Sequence, residues 1–272
     1  MAPVLGEFIM RIVVAVAALL CALASPAAAQ RAPDPIPIEE WSMDKVSDMG
    51  AAIYRQDVAA WVSTDALLAH LAGAQPPAGM VGWIVVEEGD DQRVRYVRED
   101  GGVLKSAFDV IVRDGRAGPV EVVDLPLSAI EKAQVRARQT AMENVGRLRC
   151  GQRPNLVVLD DPDSEAWLVW ILAATSEANV VTVGGHYRFR ISADGSTVLR
   201  RDMLSNSCLN MPREQTGPDG QPAALVVTQI VSQGPVETHV FLSLQNRIPI
   251  YVAAGRDRLF EVAGAEIRKI EQ

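Results

Sequence analysis

The chain has 272 residues, 49% of them hydrophobic, and 34 acidic side chains against 26 lysines and arginines give it a net charge of −8. That apolar share excludes wholesale disorder. A negative chain with scattered basic residues is repelled by nucleic-acid backbones and anionic lipid surfaces, so neither is an expected partner.

Residues 12–24 form an apolar run directly after Arg11, followed by Ser25-Pro26 and the small residues Ala27, Ala28 and Ala29. A charge, a short apolar core and an Ala-x-Ala site predict a secretory signal peptide over residues 1–29, cut after Ala29. The run falls short of the roughly 18 residues a bilayer crossing needs, so no permanent membrane span is expected after cleavage. Met10, immediately before Arg11, makes a better-fitting start than Met1, whose neighbourhood carries Glu7. The expected location is the periplasm of a Gram-negative cell, or otherwise the exterior. Cys21 leaves with the leader, and Cys150 with Cys208 then forms an even pair that an oxidising compartment turns into a disulfide.

Residues 30–41, with Pro33, Pro35 and Pro37, predict a stiff extended lead-in. Residues 42–272 read as one α+β domain, divisible at a central helix into 42–124 and 125–272. From Ser42 to Leu71 an apolar stripe of Met49, Ala52, Ile53, Val58 and Trp61 predicts a helix, with a restart at Thr64-Asp65 giving a kinked pair. His70, near its end, reads as a cap or surface residue. An antiparallel meander follows, its strands over 81–86, 93–98, 103–112 and 120–123. Acidic residues beside glycine mark its turns, and Gly118-Pro119 brackets the last one.

Ser128 and Glu131 have capping-box spacing and open the central helix. Ile130, Ala133, Ala137, Ala141 and Val145 supply its buried stripe, Lys132, Arg136 and Glu143 its wet face, and Gly146 its end. Residues 166–173 are apolar on both faces and predict a covered central strand in which the Trp167 and Trp170 indoles each need an acceptor. Around a turn at Ala193-Asp194-Gly195-Ser196, Tyr187, Phe189 and Ile191 must face one way and His186, Arg188 and Arg190 the other. The loop over 205–222 carries Cys208, so the disulfide would staple the end of the central helix to it. A closing antiparallel run is expected over 223–232, 237–244, 248–253, 258–262 and 266–270. The whole is α+β, mainly an antiparallel β-meander with N-terminal helices and one central packing helix.

His186, Arg188 and Arg190 form a cationic strip suited to a small anionic ligand, because arginine offers a rigid donor fork. Strand alternation alone also produces such a strip, as a hydrated face balanced by Asp194 and Asp202, and this is the favoured reading. Glu237 beside His239 could tune a base, and Ser205, Ser207 or Ser243 nearby would complete a hydrolase-like set. A free Cys208 thiol with His186 or His239 is a further nucleophile arrangement. The acidic runs 87–91 and 160–163 lack the ordered oxygen ligands of a calcium loop. No metal motif or cofactor signature is present. The expectation is an exported, noncatalytic envelope or periplasmic module that binds an envelope protein or small anionic ligand, or serves structurally, with its oligomeric state open. The alternative is an exported hydrolase assembled from His186 or His239 and a distant Ser or Cys.

Overall fold

The extended lead-in ends at Ser42, whose hydroxyl accepts a hydrogen bond from the Lys45 N–H at 3.3 Å and starts helix α1, Met43–Leu71. In the computed structural model the described residues are 37–271 except 152, 175, 176, 178 and 214–223. The expected leader, most of the proline-rich lead-in and much of the 205–222 loop lie outside them. No helix among the described residues is long and apolar enough to cross a membrane.

Helix α1 is one continuous element of 29 residues, not a kinked pair. The Ser63 and Thr64 hydroxyls both donate back to the Ala60 carbonyl and both contact the Tyr96 hydroxyl at 2.9 Å. Polar groups satisfied in this way do not compete with the helix. The first sheet has the order β1-β2-β3-β4, from β1 (Met80–Glu88), β2 (Asp91–Asp100), β3 (Val103–Arg113) and β4 (Arg116–Pro126), all antiparallel. Gly118-Pro119 is not a turn: it lies inside β4, where the register slips between Val110 and Val112. A bulge on an edge strand is where a residue without an N–H can sit. Tyr96, Phe108 and Val110 cover one face of this sheet with Ala59 and Leu67 of α1.

Helix α2 (Ala129–Asn144) carries the expected capping box, with Ser128 and Glu131 exchanging backbone-to-side-chain bonds. Its buried face differs from the expected stripe, since Ile130 is 65% exposed while Gln134, Val135, Ala137, Thr140 and Ala141 are buried. The helix is set between two sheets: Val135 joins Ile84 and Val97 of the first, and Ala137 and Ala141 join Val169 and Phe189 of the second.

The second sheet has the order β5-β6-β8-β9, from β5 (Asn155–Asp160), β6 (Trp167–Leu172), β8 (Tyr187–Ile191) and β9 (Val198–Met203). All six residues of β6 are buried, as its two apolar faces require. The Trp167 indole donates to the Ala193 carbonyl and the Trp170 indole to Glu237. Cys150 and Cys208 are disulfide-bonded with Cα atoms 5.2 Å apart, closing a separation of 58 residues. By the chain-entropy relation such a loop is worth about 4 kcal/mol. Short strands β7 (Val180–Thr182) and β10 (Asn210–Pro212) pair beside it.

The last sheet corrects the expected antiparallel run. Residues Glu237–Asn246 are helix α3, and it crosses over between β11 (Leu225–Gln229) and β12 (Ile250–Ala254), which pair in parallel. A parallel pair needs such a crossover. Antiparallel β13 (Arg258–Ala263) and β14 (Glu266–Ile270) complete the order β11-β12-β13-β14. Every residue from Glu237 to Ser243 is buried, so the segment shows no helical polarity period to read. Helix α3 packs so closely on α1 that a Cβ on Gly50 would stand 2.6 Å from Val240 Cγ1.

Candidate functional site

Period two holds in β8. Tyr187, Phe189 and Ile191 enter the core beneath α2, and His186, Arg188 and Arg190 take the opposite face. That face is not the hydrated surface expected, because the lead-in and α3 cover it. Arg188 is 2% exposed. Its Nε and Nη2 donate to Asp202 at 3.2 and 2.7 Å, and Nη1 donates to both Glu237 oxygens at 3.1 and 3.2 Å. Nη2 also reaches the Glu39 carbonyl at 2.8 Å, while the Trp41 ring lies 3.7 Å from the guanidinium carbon. Arg200 donates to the other Asp202 oxygen, so two guanidinium groups face two carboxylates. Arg190 is held by Asp161 at 2.7 Å and Glu39 at 3.0 Å. Asp194, the other expected counter-charge, instead accepts from Ser192 and Ser196 in the turn, which hold its pKa down at about 2.

The remaining expected site residues are also committed to the interior. His186 accepts the Ala173 N–H at Nδ1, 3.0 Å away, and burial pushes its pKa down to about 4, opposed in part by the Thr182 backbone. His239 accepts the Val236 N–H at Nδ1, and burial, with His186 nearby, takes it to about 3. Glu237 serves Trp170 and Arg188 and, among the described residues, makes no hydrogen bond to His239, as their i, i+2 placement on a helix leads one to expect. Ser205 bonds the Gly185 N–H and Ser207 carbonyl; Ser243 bonds the Ile248 and Val262 carbonyls. Neither imidazole bonds a serine among the described residues. Cys208 is not a free nucleophile, because its sulfur is bonded to Cys150. His70 is exposed at the end of α1, its ring 6.2 Å from that of Phe108. In the run 160–163, Asp161 accepts from the Asp163 N–H, Ser164 and Arg190, which outweigh burial and leave its pKa low.

A concave surface lies elsewhere, between α1, β1, β5 and the end of α3. A cleft of about 560 Å³ has Trp61 and Trp83 on its walls and Asp57, Asn155 and Gln245 in it, with Arg213 and Arg247 also lining it. Trp61, expected in the buried stripe of α1, is 65% exposed there. Asp57 makes no salt bridge among the described residues; burial raises its pKa, and hydrogen bonds from Gln245 and Asn155 oppose the rise. Trp83 and Leu156 are shared with a second cavity of about 210 Å³, walled by Val97, Val135 and Met142. Into this pocket projects Arg138 of α2. Its Nη1 donates to the Trp83 carbonyl at 2.9 Å and its guanidinium carbon lies 4.4 Å from the Trp83 ring centroid. Burial lowers its pKa, with no carboxylate opposing.

Sequence reasoning missed Asp57, Trp83 and Arg138. The available signals were slight: a Gly82-Trp83 pair in a strand, and an arginine on the flank of the buried stripe of α2. No protein-family model matches the chain, and no curated protein sequence is similar to it.

Proposed function

We propose that this protein is an exported, noncatalytic envelope or periplasmic binding module whose working surface is the cleft along α1. The observation that carries this reading is Trp61, largely exposed on the wall of a concave site that also holds Trp83 and the charged Asp57, Arg213 and Arg247, none of them in a salt bridge among the described residues. Exposed tryptophans in clefts supply large contact area with one polar handle, and pockets of this size are where ligands and partner side chains are held. The leader-like N-terminus and the disulfide, which persists in oxidising compartments, support export. The noncatalytic part is supported by His186, His239, Glu237 and Cys208, each buried or bonded within the fold.

The test is thermal unfolding of the purified protein against envelope extracts and small organic acids, beside Trp61→Ala. The expected result is a ligand that raises the unfolding temperature of the wild type and loses most of its effect on the variant. Turnover of ester, peptide or glycoside substrates by the purified protein would overturn the noncatalytic part. A ligand that stabilises both proteins equally would move the site away from this cleft.

A further inference from the structure

A half-buried arginine normally holds an acid. Arg93, Arg95, Arg98, Arg190 and Arg200 each do so here, in ion pairs of 2.6 to 3.4 Å. Arg138 holds none among the described residues; its Nη1 donates to the Trp83 carbonyl. A half-buried guanidinium that meets no anion loses part of its hydration without compensation unless something else holds it in place. Two features hold this one. Trp83 offers its ring face, and Gly82, at φ +137°, leaves the space in which the guanidinium lies, since a Cβ there would stand 2.9 Å from Nη1.

With Nη1 given to the Trp83 carbonyl, the Nε–Nη2 edge remains, and that edge presents two parallel N–H bonds. It is the fork that matches the two oxygens of a carboxylate. Beside it lie Val97, Val135, Met142 and Leu156, a mainly apolar wall that also includes Gln139 and holds no second cation. A phosphate dianion would leave charge uncompensated on this wall, whereas a monocarboxylate with an apolar body satisfies both parts. At about 210 Å³ the pocket holds roughly seven water volumes.

We propose that the pocket over Trp83 binds a small organic monocarboxylate, its carboxylate on the Nε–Nη2 edge of Arg138 and its apolar body against Val135, Met142 and Leu156. This goes beyond the binding-module reading, placing a ligand in the smaller cavity that shares Trp83 and Leu156 with the cleft. Arg138 thereby becomes the specificity-determining residue of the pocket.

Titration calorimetry with octanoate and phenylacetate, each against its neutral amide, tests this. The acids bind, the amides bind about tenfold or more weakly, and Arg138→Gln loses about tenfold or more of the acid affinity while amide affinity stays put. Met142→Trp, which fills the apolar end, weakens acids and amides alike and serves if Arg138→Gln does not fold. Amides binding as well as acids, acid affinity unchanged in Arg138→Gln, or neither acid binding overturns the assignment. In the last case a ligand lost on Trp61→Ala would leave the binding-module reading standing, so the two fail separately.

Discussion

Among the described residues Arg188 lies over the Trp41 ring and Arg138 over the Trp83 ring, and the two differ in everything else. Arg188 is enclosed by Asp202, Glu237 and the Glu39 carbonyl, and it ties the lead-in, the second sheet and α3 together. Arg138 has one carbonyl and a cavity. A buried guanidinium with every donor answered is a structural fastener, because removing it strands its partners. One with an unanswered fork beside an apolar pocket is prepared for a partner that arrives from outside.

The largest effect separating the two regions is Arg188→Met. It strands the Asp202 and Glu237 carboxylates in the interior, and breaking a buried ion pair from one side costs about 3–5 kcal/mol. Urea unfolding of the variant beside the wild type reads this directly. Glu237→Gln costs less, because glutamine keeps an acceptor for Trp170 and leaves Arg188 paired with Asp202. Equal losses from the two substitutions would mean that shape, not charge, holds this cluster.

Acidification presses on the same region next. His186 and His239 have folded pKa values of about 4 and 3, below the unfolded value of 6.5. A base whose pKa is depressed on folding stabilises the native state above its unfolded pKa, and that contribution fades as pH falls from 6.5 toward the folded values. At about 1.4 kcal/mol per pH unit below 6.5 for each group, the pair accounts for about 4 kcal/mol of lost stability between pH 7 and 5. Denaturation midpoints at the two pH values give the difference, and His186→Gln removes about half of it. A flat profile over that interval would show both imidazoles reachable by protons in the folded state.

The two regions were unequally legible in the sequence. Alternation placed His186, Arg188 and Arg190 on one face because period two is local, and Asp202 on the neighbouring strand was a foreseeable counter-charge. What covers that face was not readable, since the Glu39 carbonyl that reaches Arg188 comes from 149 residues away. The same distance problem hid the pairing of Glu237 with Arg188, made worse because α3 is buried on every side from Glu237 to Ser243 and carries no amphipathic signature there. With α3 unread, the parallel pairing of β11 and β12 was out of reach as well. By contrast, the capping box at Ser128, the covered strand at Trp167–Leu172 and the Cys150–Cys208 pair depend on local chemistry or on counting, and all three are present as expected. The Arg138 pocket needs residues from α2, β1 and β5 at once, and no window of sequence contains them.

The smallest expected effect sharpens the comparison most. Replacing Arg138 with methionine removes one hydrogen bond, to the Trp83 carbonyl, which is worth about 1 kcal/mol. It also removes the contact with the Trp83 ring, but it takes away a half-buried charge that no carboxylate among the described residues compensates and leaves an apolar side chain against Val135 and Met142, and these last two favour the folded state. The opposing contributions bring the net change in unfolding free energy within about 1 kcal/mol of zero, against the several lost at Arg188. Measured in the same urea series without added ligand, a loss as large as that of Arg188→Met would place Arg138 among the fasteners. A change near zero, joined to lost acid binding, separates an arginine that holds the fold from one that the fold holds for something else.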